Sequence, residues 1–120
     1  MPRALVIADS TWAVNDVLST LTHGDWEVEL LDDPFQSGAK VAELDPDVVI
    51  IDLQIKNMGG MAIVRQIRAD PDIEEMPRLV LLLDREADGL LAKRAGADAW
   101  VVKPFQADQL RQALGEALEV

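Results

Sequence analysis

The run Pro46-Asp47-Val48-Val49-Ile50-Ile51-Asp52 leaves a chain of 120 residues few ways to fold. Four consecutive apolar, β-branched residues offer no polar side to a strand, so the strand must be covered on both faces, as in a parallel sheet held between helices. A carboxylate follows at the strand's carboxyl end, where open α/β sheets put their ligands and their chemistry. Asp52 is therefore the first candidate for function.

The rest of the chain fits that reading. Ala4 to Ala8 is a short apolar run ending at Asp9; Val14, Val17, Leu18 and Leu21 then follow at helical spacing, with Ser10 or Thr11 placed to cap the helix. Trp26 to Leu31 alternates in part, with Glu27 and Glu29 on one side, as an edge strand does. A short helix is expected over about 36–44, burying Ala39, Val41, Ala42 and Leu44, because a parallel crossover is needed there. After Asn57-Met58-Gly59-Gly60, a helix turns Met61, Val64 and Ile67 inward and stops at Asp70-Pro71-Asp72. Leu79 to Leu83 reads as a second fully buried strand. Ala87, Leu90, Leu91 and Ala95 give the next helix its stripe, ended by Gly96. Ala99 to Lys103 is the fifth strand, and Leu110, Ala113, Leu114, Ala117 and Leu118 make a strong amphipathic helix after Pro104. Five strands alternating with five helices predict one α/β domain over residues 1–120, a parallel sheet in the order 2-1-3-4-5 with helices on both faces.

Charge and composition exclude whole classes. A net charge of −11, with no cluster of Lys or Arg, repels phosphate backbones, so direct nucleic-acid binding is not expected. The absence of cysteine rules out disulfides, thiolate metal sites and a thiol nucleophile. With no apolar run near eighteen residues and no signal-like N-terminus, the expectation is a cytoplasmic protein without membrane contact.

In the predicted sheet order, strands one and three are neighbours, so Asp9 and Asp52 converge. Lys103 ends strand five on the same edge. Two carboxylates about 4 Å apart repel by about 1 kcal/mol in water and about 4 at an effective dielectric of 20, so the pair calls for a cation. Lys103 supplies one; Mg²⁺, which takes one or two carboxylates and completes its shell with water and phosphate oxygen, would supply more. With the charge balanced, Asp52 can attack a phosphoryl donor and form an acyl phosphate.

Over nearly its whole length the chain resembles the receiver domain of two-component response regulators. The resemblance rests on Leu5-Val6-Ile7-Ala8-Asp9, on Pro46 to Leu53, on Met58 with Gly60, on Pro77, and on Ala95-Gly96-Ala97-Asp98 leading to Val102-Lys103-Pro104-Phe105. It implies a flavodoxin-like (CheY-like) three-layer sandwich and a signalling role rather than an enzyme's. It also implies Asp52 as phospho-acceptor, Asp9 as an acid of the Mg²⁺ pocket, Lys103 as the phosphate contact, and a cis bond from Lys103 to Pro104. Implied partners are a histidine kinase or phosphotransfer protein and a downstream protein. Leu90, Leu91, Trp100 and Leu110 lie near the face such domains use for partners and dimers, so a monomer or weak dimer is expected.

Departures from the family's pattern sit around the acceptor. Ser10 stands where a second acid is usual, which weakens Mg²⁺ binding. Leu82 falls at the place of a Thr or Ser and offers no hydroxyl to a phosphoryl oxygen. Trp100 replaces a smaller aromatic at the other switch position. Lys56 takes the place of a common proline; its ammonium is either solvated or leans over Asp9 and Asp52 as a surrogate for the metal. Asp84 and Arg85 lie near the same rim. Two readings follow: an atypical stand-alone receiver in a phosphorelay, with no output domain after Val120 and with slow phosphorylation, or a pseudo-receiver that works through protein contacts alone. True enzymes fit worse. Asp9-Ser10-Thr11-Trp12 lacks the Gly-rich phosphate loop of a flavodoxin, Thr11 stands where a haloacid-dehalogenase-like phosphatase carries its second Asp, no P-loop or dinucleotide fingerprint occurs, and His23 falls in a turn.

Overall fold

The computed structural model describes residues 2–22, 24–55 and 58–119. Its strands and helices, in chain order, are β1 (Arg3–Ile7), α1 (Thr11–Leu21), β2 (Glu27–Leu31), α2 (Ser37–Leu44), β3 (Val48–Asp52), β4 (Gln54–Ile55), β5 (Met58–Gly59), α3 (Gly60–Ala69), β6 (Arg78–Leu83), α4 (Gly89–Ala95), β7 (Ala99–Val102) and α5 (Ala107–Glu119). Five strands form a parallel sheet in the order β2-β1-β3-β6-β7, which is the predicted order 2-1-3-4-5. β4 and β5 make a separate two-stranded antiparallel pair, with Gln54 opposite Gly59 and Ile55 opposite Met58.

Strand alternation divides the interior in two. Val6, Val48, Ile50, Val80, Leu82 and Val101 face one way, onto Val17 and Leu21 of α1 and Leu110, Leu114 and Ala117 of α5. Leu5, Ile7, Val49, Ile51, Leu79, Leu81 and Leu83 face the other, onto Val41 of α2, Ile63, Val64 and Ile67 of α3, and Ala92 and Ala95 of α4. The result is three layers, with β3 in the middle of the sheet and all five of its residues buried. Edge strand β2 keeps Glu27 and Glu29 exposed, as its partial alternation predicted.

Three of the expected helical stripes need correction. In α4, Leu90 and Leu91 are 59% and 47% exposed and Ala87 is exposed; the helix begins only at Gly89, after a 3₁₀ turn at Glu86–Asp88, and it is Ala92 and Ala95 that face the sheet. Gly89 explains the shift, since the Trp100 indole lies 3.0–3.3 Å from where a Cβ would stand and draws the helix start close to β7. In α2, Ala39 and Ala42 face solvent while Ser37 and Gly38 are buried with Val41, and in α5 Leu118 is exposed. Both helices are anchored by fewer, earlier residues than the periodicity suggested.

The turn after α4 carries a testable constraint. Gly96 has φ +109°, and the Arg68 guanidinium donates to its carbonyl from Nε at 3.0 Å and Nη2 at 2.6 Å. A Cβ there would meet Arg68 Nε at 3.2 Å, besides adopting a backbone that L-residues avoid at about 1–2 kcal/mol. Gly96→Ala is expected to lose about 1–2 kcal/mol in urea unfolding; an unchanged midpoint would contradict it. Nearby, Asp98 accepts from the Leu79 amide at 2.8 Å and from Arg68 at 3.0 Å, tying the start of β7 to β6 and α3.

Candidate functional site at the carboxyl edge of the sheet

β1, β3 and β7 end on one edge. The register pairs Ile7 with Ile51, so Asp9 lies one residue beyond the position opposite Asp52. Asp52 pairs with Leu82 across β3 and β6, which sets an isobutyl group, fully buried, at the acceptor's strand neighbour. Asp52 is itself a buried carboxylate, 3% exposed.

Lys103 is brought to it from one residue beyond β7. Its Nζ donates to Asp52 Oδ1 at 2.5 Å, and the bond from Lys103 to Pro104 is cis, as the family resemblance implied. The same Nζ is 3.2 Å from Asp84 Oδ1, just past β6. Side-chain exposures of 4% for Asp52, 14% for Lys103 and 58% for Asp84 order the three from the interior outward. Burial pulls the Lys103 ammonium down from its ordinary pKa, but hydrogen bonds and charge from Asp52 and then Asp84 outweigh it, and the net displacement is upward. Lys103 is thus held as a cation between two acids.

Other expected site residues fall into place with less chemistry. Asp9 is exposed at the end of β1, and Trp12, 48% exposed, stands in the first turn of α1. Ser10 is the N-cap of α1, its Oγ accepting from the Ala13 amide at 3.5 Å. Trp100 is half-buried against Gly89. Arg85 pairs with Asp88 at 2.9 Å, which raises its own pKa through that hydrogen bond and charge. Lys56 and His23 lie outside the described residues. Among the described residues, no group of three or more acidic, His or Cys side chains gathers in one place. Asp9 and Asp52 bring to this edge the one or two carboxylates that Mg²⁺ usually takes, while the Ser10 hydroxyl beside them caps α1.

Asp84 was visible in the sequence only as a rim residue. Its role in the geometry has a signal that strand patterning ignores: a charge placed directly after a fully apolar strand cannot retreat into the core, so it must lie over the carboxyl edge.

Comparison with known proteins agrees with this arrangement. Residues 4–115 match the model of the response regulator receiver domain. The chemotaxis response regulator CheY4 of Vibrio cholerae has 28% identity and a TM-score of 0.85, over 98% of this chain and 99% of that one. A putative response regulator from Chloroflexus aurantiacus, at 18% identity, shares the fold with a TM-score of 0.89 over the whole of both chains. Among curated relatives, the transcriptional regulatory protein TrcR of Mycobacterium tuberculosis is 28% identical over 90% of this chain, and the DNA-binding dual master transcriptional regulator RpaA of Synechocystis is 29% identical over 92%. The chain spans less than half the length of these two relatives, 42% and 46%.

Proposed function

The chain belongs to the response regulator receiver domain family of two-component signalling, and from that premise we propose that Asp52 accepts a phosphoryl group, slowly and with weak coupling to the rest of the domain. The observation that carries the reading is the buried Asp52 carboxylate bonded to Lys103 at the end of the central strand. Lys103 engages Oδ1 and leaves the second oxygen to attack phosphorus in line. A bond from that oxygen to phosphorus forms as the bond from phosphorus to the donor breaks, and the donor group leaves with the electron pair. The product adds about −1.5 to −2 charge at pH 7. Lys103 stays an ammonium throughout and neutralises part of it.

Two features support slowness. With Ser10 capping α1, Mg²⁺ is bound weakly and gives little help in neutralising the donor. With Leu82 beside Asp52, no hydroxyl draws toward a phosphoryl oxygen, so the switch to a second arrangement is poorly driven. The phosphoryl group would come from a histidine kinase or phosphotransfer protein, and the output would pass to a protein partner. RpaA is named for DNA binding, but a net charge of −11 directs any such role away from this domain's own surface.

Intact-mass measurement after incubation with acetyl phosphate, with and without Mg²⁺, tests the acceptor. The expected result is a slowly formed single phosphoryl adduct on the wild type, only modestly increased by Mg²⁺ and lost completely in Asp52→Asn. The same leucine and serine favour a second reading, a pseudo-receiver that acts by contacts alone. An absence of adduct at every Mg²⁺ level would favour that reading instead.

A further inference from the structure

Lys103 has two anionic partners, and only one of them is the acceptor. Asp52 approaches from the interior and Asp84 from the solvent side, at 2.5 and 3.2 Å from the same nitrogen. A phosphoryl group growing on Asp52 must extend toward solvent, since Asp52 is buried among the ends of β1, β3 and β6. Its oxygens therefore arrive where the Asp84 carboxylate already sits. We infer that Asp84 is a positioning residue that occupies the phosphoryl-facing side of Lys103 and competes with the incoming phosphoryl group for that ammonium. This rests on Asp52 being the acceptor.

The chemistry is that of an internal anion. A carboxylate and a phosphoryl oxygen both seek the remaining donors of one ammonium, and like charges brought this close repel, the more so at lower effective dielectric. Asp84 must swing off Lys103 or tolerate that repulsion before the donor can align. It is free to swing, being more than half exposed and attached just beyond the last residue of β6. Arg85 does not hold it, because Arg85 is bonded to Asp88 in the opposite direction along the chain. Asp84 thus acts against phosphorylation and leaves the fold nearly indifferent to its loss, since Lys103 keeps its inner partner.

Asp84→Asn and Asp84→Glu, each checked by thermal melting, are compared with the wild type for the initial rate of adduct formation with acetyl phosphate at fixed Mg²⁺. Asp84→Asn is expected to react about tenfold faster, the rate equivalent of 1.4 kcal/mol. The gap should widen as ionic strength falls, because an exposed charge is screened by salt. Asp84→Glu, which restores the charge on a flexible stem, should remain slow. A role confined to structure would move neither the salt dependence nor the rescue. Equal rates for wild type and Asp84→Asn, with adduct on both, overturn the inference and leave Asp52 as acceptor. Adduct on Asp84→Asn alone supports it in its strongest form. No adduct on either protein removes the acceptor reading, and the inference falls with it.

Discussion

Lys103→Met is expected to lower the stability of the domain by about 3 kcal/mol, the lower end of the cost of stripping one partner from a buried ion pair. Methionine keeps most of the volume of the lysine stem, so the loss reports charge rather than packing. What remains is a carboxylate, 3% exposed, with its cation gone. Asp52→Asn should cost clearly less. It leaves Lys103 with Asp84 at 3.2 Å and keeps a side chain of the same shape in the buried place. The double variant should therefore be more stable than Lys103→Met alone, a sign that simple additivity cannot give. Urea unfolding of the four proteins checks this, and a double variant less stable than both singles would refute it. The pH dependence has a definite sign. Because the folded state raises the Lys103 pKa, its contribution is fully present below the ordinary lysine value of about 10.4 and is lost as pH climbs through the higher folded value. Wild type should thus lose stability on the alkaline side more steeply than Lys103→Met does.

Gly60→Ala should be about as damaging, for a steric reason. Gly60 opens α3 and donates its amide to the Leu53 carbonyl at 2.6 Å, pressing the helix start against the strand end that carries Asp52. A Cβ at Gly60 would stand 2.5 Å from the Asp52 carbonyl oxygen and 2.9 Å from Leu53 Cα. Both are backbone atoms that cannot rotate away, so helix or strand must move. Overpacking costs about 1–3 kcal/mol where side chains can give, and about 3 or more is expected where they cannot. Gly59→Ala is the control: the nearest atom to its Cβ is 3.9 Å away and its φ is −78°. It should change stability by no more than about 1 kcal/mol, the ordinary penalty for alanine at an N-cap. Chemical unfolding of both variants distinguishes them, and similar losses at the two positions would contradict the argument.

The layered fold was legible in the sequence because the strands announce themselves. Val48 to Ile51 and Leu79 to Leu83 are apolar throughout, and runs of that kind have few uses other than the middle of a parallel sheet. The pair β4–β5 was not foreseen, since strands of two residues carry no period. α4 misled for a related reason. Leu90 and Leu91 outweigh Ala92 and Ala95 in any reckoning of hydrophobicity, yet the helix lies so near the sheet that only small side chains fit beneath it, as the Gly89–Trp100 approach shows. In the site, Asp52 and Lys103 were visible as strand-end charges, and their contact is present in the structure. The second partner of Lys103 was not assigned, because which way an exposed aspartate leans is decided by the cation it meets and not by its neighbours in the chain.

The place of β3 has a consequence for timing. Hydrogen-bonded on one side to β1 and on the other to β6, and covered on both faces, its amides are among the last from which water can exchange protons. Asp52 is therefore mounted on the backbone expected to open last, a point that native-state hydrogen exchange of the Val48–Asp52 amides checks. Above that floor the site opens outward through side chains of rising exposure, Lys103 at 14% and Asp84 at 58%.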